Sequence, residues 1–484
     1  MNGHSQYNSA KGKNMKLYNT LTRTVDEFVP RDPKDVKMYT CGPTVYHFAH
    51  IGNLRSYIME DVLEKALNYV GFHVTRAMNI TDVGHLSGDG DDGEDKMLKG
   101  AEREHKTVME IAKFYTDAFR RDCDALNIKW PEIVVPATSC IDTYIKMIEV
   151  LLEKGYAYQS NGNVYFDVSK LKEYYVLSNQ NTEDLVIGAR EGVSDDEGKK
   201  NPQDFALWFT KSKFENHALK WQSPWGEGYP GWHIECSGIS YKYLGEYLDL
   251  HCGGVDNKFP HHTNEIAQSE SFLGHKWCTH WFHVQHLNLA DGKMSKSKGE
   301  FITVNLLKEK GYAPEVYRLF CLQSHYRKVL MFSYSGLDSA KGAYNSLAKQ
   351  IGALVQDDDS PLDIEKMKQF DDKFRAALEN DLNTSLAVTC VFDTLKSDMN
   401  DNSKIELLKK FDTVLGLSFE KMMNKSQNVE VDKDFEQYIL SKIEERKQAK
   451  LEKDYAKSDA IRDELKQKGV TLIDTKEGTT YKLD

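Results

Sequence analysis

A switch of hydrophobic period near the start of the chain constrains its fold more than any other stretch. Val36-Lys37-Met38-Tyr39-Thr40-Cys41 reads as a short strand, and after Gly42-Pro43 the residues Ile58, Val62, Leu63, Ala66, Leu67 and Val70 recur at helical spacing until Gly71. Phe72-His73-Val74-Thr75-Arg76-Ala77-Met78-Asn79-Ile80-Thr81 then returns to a strand pattern. The order predicts two parallel strands joined across helix 54–70, the unit from which doubly wound α/β domains are built. No Gly-x-Gly-x-x-Gly follows the first strand, which counts against a nicotinamide or flavin domain. The helix opens on His47-Phe48-Ala49-His50-Ile51-Gly52-Asn53. A helix N-terminus favours negative charge, and Gly52 lets a nucleotide approach the backbone, so this turn is a candidate phosphate site.

A second candidate lies far downstream. Asp291-Gly292-Lys293-Met294-Ser295-Lys296-Ser297-Lys298-Gly299 places three lysines and two serines between two glycines. Composition alone makes this a solvated basic turn. Chemistry makes it a loop whose lysines, compact charges on long stems, can close around a polyphosphate and neutralise charge that develops there.

At 484 residues the chain should divide into three or more domains, each able to bury a core. Its 63 basic and 74 acidic side chains leave a net charge of −11, so an RNA partner must meet locally basic surface rather than a basic protein. No apolar run approaches a membrane span, and the polar stretch Met1 to Lys16 is unlike a signal peptide; it reads as a disordered or artificial tail. Eight scattered cysteines without a Cys-x-x-Cys pair argue against a disulfide framework and for a reducing, cytoplasmic setting.

Residues 131–215 read as an insertion, with Asn161-Gly162 as a hairpin turn before strand Val164 to Val168. The half-sheet is expected to resume at Tyr229-Pro230-Gly231-Trp232-His233-Ile234-Glu235-Cys236, and a strand from Trp281 to Leu289 delivers the chain to the lysine loop. The acidic run Ser87 to Asp95 lacks the spacing of a calcium loop and reads as solvated, as does Ser194 to Lys200. After Pro260 a helix is expected, on which His261 and Glu265 share a face. The two either bind one metal ion or form a helical hydrogen-bonded pair, and Cys236 is either a further ligand or a small core residue.

His50-Ile51-Gly52-Asn53 with Lys293-Met294-Ser295-Lys296-Ser297 resembles the two signatures of class I aminoacyl-tRNA synthetases, with asparagine where histidine usually ends the first. Cys41-Gly42-Pro43-Thr44-Val45-Tyr46, Gly231-Trp232-His233-Ile234-Glu235-Cys236 and Phe259-Pro260-His261-His262, with Asn264-Glu265, narrow the resemblance to the cysteinyl-tRNA synthetase family over nearly the whole chain beyond the tail. The resemblance implies a class I Rossmann-like doubly wound parallel sheet (17–130 and 216–300) split by the connective insertion, then a stem-contact region 301–350, a helical bundle 351–434 on the anticodon side and a small mixed α/β C-terminal domain 435–484.

It also implies one Zn2+ per chain on residues matching Cys41, Cys236, His261 and Glu265, joined by the substrate cysteine as thiolate. Zinc binds thiolate far better than a serine hydroxyl, so such a site needs no editing domain. Thr81, Trp232 and His251 would line the cysteine pocket, with Tyr39 and Thr40 as lesser candidates. His47, His50, Gly52, Asn53, Gly254, Asp256, Lys293 and Lys296 would bind ATP with Mg2+, and His50, Lys293 and Lys296 would be catalytic. The implied partners are tRNA(Cys), ATP and L-cysteine, with no membrane, for a monomeric chain. Cys252 stands where the family usually has glycine, and Val83-Gly84-His85-Leu86 departs from its usual acidic continuation.

The last third separates enzymes that share this core. A ligase joining cysteine to an amino sugar carries the same motifs without RNA-binding domains, whereas this chain continues through Phe374 to Thr384 into a long lysine-rich helix from Leu440 through Leu465, stopped by Gly469. A strand pair, Val470 to Asp474 and Thr479 to Leu483, follows across Glu477-Gly478; this tail resembles the family's anticodon-reading end, which implies a base-stacking aromatic at Tyr481. A non-catalytic tRNA-binding paralogue is the other alternative.

Overall fold

The computed structural model describes residues 14–82, 107–177, 198–211, 219–289, 292–293, 301–356, 358–425, 433–452, 454–468, 470–475 and 478–483. Its centre is a five-stranded parallel sheet of β1 (Val36–Thr40), β2 (Val74–Ile80), β3 (Ile133–Pro136), β4 (Leu248–Gly254) and β5 (Cys278–Val284), in the spatial order β5-β4-β1-β2-β3. β1 and β2 pair from Val36 with Val74 to Thr40 with Met78. They are joined by α1 (Ile51–Tyr69), and the chain leaves that helix through Gly71 at φ 102°, a conformation open to glycine. The strands are buried almost without alternation, as expected for a sheet covered on both faces.

The chain adds β2 and β3 on one side of β1, then returns to add β4 and β5 on the other. The order therefore reverses between β1 and β4, and a crevice opens beyond their carboxyl ends, where ligands bind in sheets of this kind. Helices α2 (Val108–Ala125), α3 (Ile141–Glu153), α4 (Trp232–Leu244) and α5 (His261–Leu273) complete this core.

The insertion carries its own antiparallel sheet of Ala157–Ser160, Asn163–Phe166, Phe205–Phe209 and Tyr229–Pro230. Asn161 and Gly162 both take positive φ, 52° and 93°, as a two-residue hairpin turn requires. Three local expectations differ from what is observed. Ile133–Pro136, within the expected insertion, is the edge strand of the parallel sheet. Tyr229–Pro230 does not resume that sheet: it forms the edge of the inserted one, where proline's missing donor is tolerated, and Gly231 starts α4. The run from Trp281 to Leu289 is broken, with Leu287–Leu289 in a separate small sheet beside Gly292–Lys293 and Leu330–Phe332. The cause is Arg55 of α1, fully buried, whose guanidinium donates to the carbonyls of Gln285 (2.8 Å), His286 (2.6 Å) and Lys328 (2.7 Å) and so holds the chain out of the ladder.

Helices Pro314–Leu322, Tyr334–Gly352, Ile364–Glu379, Thr384–Lys396 and Asp401–Leu415 follow within the same compact unit, which ends at Glu420. Arg318 ties them to the sheet domain: fully buried, it donates to Asp61 Oδ2 on α1 (2.7 Å) and to the carbonyls of Leu126 (2.9 Å) and Leu415 (2.5 Å).

The second unit, Lys421–Asp484, holds helices Lys433–Leu451 and Tyr455–Gln467 and the hairpin Val470–Thr475 with Gly478–Leu483. Ile439, Ile461, Leu465 and Val470 form its core, against which Tyr481 packs. The single long helix expected here is two, because Asp454 accepts from Lys457 N at 3.0 Å and caps a fresh start. Residues 1–13, the acidic run 87–95, most of 194–200 and the lysine loop apart from Gly292–Lys293 lie outside the described residues; from Lys16 the chain is already in a strand. Among the described residues no helix is long and apolar enough to cross a membrane, and all eight cysteines are free.

Candidate functional site

The crevice at the reversal point is a cleft of about 470 Å3. Cys41 enters it from the end of β1, Gly253 and Gly254 from the end of β4, and His50, Gly52 and Asn53 from the start of α1. Gly42 turns the chain over β2 so closely that a Cβ there would fall 1.6 Å from the Asn79 carbonyl oxygen. Its N–H donates to Asn79 Oδ1 at 2.7 Å, and the same amide donates to Thr81 Oγ1 at 2.9 Å. Thr81 in turn donates to Glu235 Oε2 at 3.1 Å. Asn79 therefore positions both the first cysteine and the threonine.

Four side chains from three segments meet at the floor. The ligand atoms of Cys41, Cys236, His261 and Glu265 all lie within 4.8 Å of one another. The two sulfurs are 4.0 Å apart, Cys236 Sγ is 3.5 Å from His261 Nε2, and that nitrogen is 3.0 Å from Glu265 Oε1. An ion bound tetrahedrally at about 2.3 Å to sulfur and 2.0–2.1 Å to nitrogen and oxygen sets edges of roughly 3.8 Å and 3.3 Å, so the cage has the required size. Glu265 Oε1 is fully buried, and its one close polar neighbour among the described residues, His261 Nε2 at 3.0 Å, lacks the geometry of a hydrogen bond, which suits a carboxylate oxygen able to bind a cation. Supporting contacts orient the donors: His233 Nδ1 is 2.9 Å from His261 Nδ1, and His251 Nε2 is 2.9 Å from Glu265 Oε2. His262, next to the expected ligand, lies 3.2 Å from Cys41 Sγ and 2.8 Å from His283 Nε2. A second grouping of Cys41, His251, His262 and Glu265 shares the same space.

Both thiols of the cage are raised above the ordinary value. Burial pushes the Cys41 thiol well up, with the Cys236 sulfur adding to the rise. At Cys236 the contact with Cys41 favours the thiolate, burial opposes it, and the balance lies above the ordinary thiol value. Burial, then the neighbouring His251 and His283, pushes His262 well down, so it is neutral. A divalent ion reverses this ordering for the thiols it binds.

At the helix end, His50 caps α1 by accepting from Asn53 N at 3.2 Å through Nδ1, which leaves Nε2 to carry a proton. Phe301 packs edge-on to His50 (5.4 Å) and His47 (4.4 Å). Asn53, Ser56, Tyr57 and Glu60 line the cleft along one face of α1, and Gly254 and Asp256 line the opposite wall. Tyr39, Thr40 and His251 are buried and do not border the cleft; Tyr39 donates to Asn79 Oδ1 at 3.2 Å from behind. Trp232 is the first residue of α4, Lys293 pairs by its backbone with Asn288, and Lys296 lies outside the described residues. Asn79, Glu60, His233 and Phe301 were not singled out from sequence. His233 sits in the Gly231-to-Cys236 run and Asn79 in the strand run Phe72 to Thr81, so those two stretches could have signalled them; nothing in the sequence marked Glu60 or Phe301.

The family model for the class I (C) tRNA synthetase catalytic domain matches residues 27–342. A cysteine–tRNA ligase of Treponema denticola is 45% identical over 97% of this chain and 99% of its own length, and one of Borrelia garinii is 43% identical over the same shares. The chain belongs to the cysteine–tRNA ligase family. It carries the class I fold: a methionyl-tRNA synthetase of Mycobacterium tuberculosis, solved with methionyl-adenylate, superposes with a TM-score of 0.54 at 13% identity, over 81% of this chain and 93% of that one.

Proposed function

We propose that this chain attaches L-cysteine to tRNA(Cys) in two ATP-dependent steps, as a cytoplasmic monomer. The observation that carries the reading is one cleft bordered by Cys41, Cys236 and His261 of the four-residue cage and by the His50 turn of α1. Zn2+ held by these four residues would take the substrate's sulfur as thiolate, a preference that a serine hydroxyl cannot match. The cysteine carboxylate attacks the α-phosphorus of ATP and pyrophosphate leaves; a tRNA terminal hydroxyl, the 2′ in class I enzymes, then attacks the cysteinyl carbonyl and AMP leaves. The α1 N-terminus, His50, Gly52 and Asn53 receive the phosphates, which arrive with Mg2+, and Lys293 and Lys296 neutralise the departing charge. Gly254 and Asp256 take the ribose, Thr81 and Trp232 border the amino acid, and His251 fixes the ligand carboxylate from behind. No side chain acts as a nucleophile, so catalysis is positioning and electrostatics.

The test is zinc content, cysteine-dependent ATP–pyrophosphate exchange and tRNA(Cys) charging on the purified chain. Near-stoichiometric zinc, exchange with cysteine at least about a hundredfold above serine, and charging are expected. In Cys236→Ser, zinc and cysteine affinity should fall together; undiminished affinity refutes thiolate selection. Exchange without charging would point instead to a small-molecule acceptor.

A further inference from the structure

One surface beside the cleft is unused by the chemistry above. Phe48 and Phe114 are large apolar rings left 36% and 38% exposed, at the mouth of the cleft rather than on a remote face. They form a pre-set cluster with Tyr115. Phe48 lies 5.1 Å from Tyr115 at 85°, Phe114 lies 5.1 Å from Tyr115 at 84°, and the two phenylalanines are 6.0 Å apart. Phe48 and Tyr115 also line the cleft, so the platform is continuous with the place where the acceptor hydroxyl must arrive. On the same outward face of α2, Arg120 and Arg121 are exposed, six and seven residues beyond Phe114; the Arg120 guanidinium lies over the Trp130 ring at 5.2 Å, and neither arginine is in an ion pair among the described residues. Lys113 on that face is already tied to Asp117 at 2.8 Å. An aromatic pair followed along one helix by two guanidinium groups, in a chain of net charge −11, matches a single strand whose bases stack and whose phosphates follow.

We propose that Phe48 and Phe114 form a stacking platform for the unpaired 3′-terminal bases of the acceptor RNA, with Arg120 and Arg121 holding the phosphates behind them. The inference rests on the transfer step proposed above and adds where the incoming strand is held. Stacking positions the terminal ribose over the cleft; Phe48 and Phe114 touch no reacting atom and are positioning residues.

The experiment separates the two half-reactions on full-length, zinc-loaded protein. Phe114→Ala and Phe114→Leu should leave cysteine-dependent pyrophosphate exchange within about twofold of wild type, and slow single-turnover transfer from preformed cysteinyl-adenylate to tRNA(Cys) about tenfold or more. Phe114→Tyr, which keeps a flat ring, should restore transfer, and Arg120→Gln with Arg121→Gln should flatten the salt dependence of tRNA binding. With a tRNA(Cys) lacking only its terminal base, wild type should drop by the same factor and Phe114→Ala should lose no more. Wild-type transfer rates in Phe114→Ala or Phe114→Leu, equal losses in exchange and transfer, or additive losses with the abasic tRNA would each overturn the platform. Failure of exchange or charging in the unaltered protein would instead strike the proposed function itself.

Discussion

Replacing Glu60 by glutamine removes one titration from the interior while keeping the side chain's shape. Glu60 is 1% exposed on the cleft face of α1, and its Oε2 has no hydrogen-bond partner among the described residues. The neighbouring cation, Arg76, is committed to Glu64 at 3.1 Å and to the Lys129 carbonyl at 2.5 Å. Burial therefore dominates and pushes the Glu60 carboxyl from 4.5 up to about 8, with Arg76 only partly opposing it. Because the folded value is the raised one, the native protein keeps a proton that the unfolded chain releases. Stability is full below the unfolded pKa and is lost as pH climbs toward 8, at about 1.4 kcal/mol per pH unit. Between pH 6 and pH 8 wild type should lose about 2 kcal/mol relative to Glu60→Gln, with the gap levelling off above pH 8. Urea unfolding followed by tryptophan fluorescence suits the measurement, since all seven tryptophans lie between Trp130 and Trp281 and report on the sheet-bearing unit alone. Parallel stability profiles for the two proteins from pH 6 to pH 9 would show that Glu60 is not held as a neutral acid, and the burial argument would fail.

Three other perturbations probe separate parts of the structure. Gly42→Ala forces a Cβ against the backbone of Asn79, which no rotamer change relieves, so retained zinc after dialysis should fall well below one per chain; full retention would mean the turn can relax. Arg318→Met removes the buried guanidinium from Asp61, which keeps only Lys65 at 2.8 Å as a cation, and leaves the Leu126 and Leu415 carbonyls without their donor; it should cost about 3 kcal/mol in denaturant unfolding. Combined with Asp61→Asn, the loss should be clearly less than additive, and simple additivity would deny the coupling. Lys293→Ala should slow pyrophosphate exchange about a hundredfold or more while leaving cysteine affinity within about twofold; equal changes in both would remove the charge-neutralising role of the loop.

Local periodicity revealed β1, α1 and β2 because each is decided by its own residues: buried apolar runs for the strands, a 3.6-residue stripe for the helix, and Gly71 to end it. It misjudged elements whose limits are set from elsewhere. The break after Val284 is imposed by Arg55, some 230 residues earlier, and nothing in Trp281 to Leu289 announces it. Pro230 looks like part of a strand and is one, but only the third dimension says to which sheet it belongs. The cage shows the same division. His261 and Glu265 could be paired from helical spacing, whereas Cys41 and Cys236 join them only because β1 lies beside β4 and α4 and α5 begin over its end. Asn79, which orients Gly42 and Thr81, leaves no periodic trace at all.

The separation of the cage along the chain bears on assembly as well as on binding. Cys41 and Cys236 are 195 residues apart, and the entire insertion folds between them. An ion shared by the two is a cross-link over a very long loop, of a kind that for a covalent bridge restricts the unfolded chain by on the order of 5 kcal/mol. Before Glu265 has been synthesised the cage cannot close, so an ion held by all four residues would bind only once both halves of the sheet are in register. Without such an ion the chain would lack that clasp between the halves as well as the proposed means of telling sulfur from oxygen.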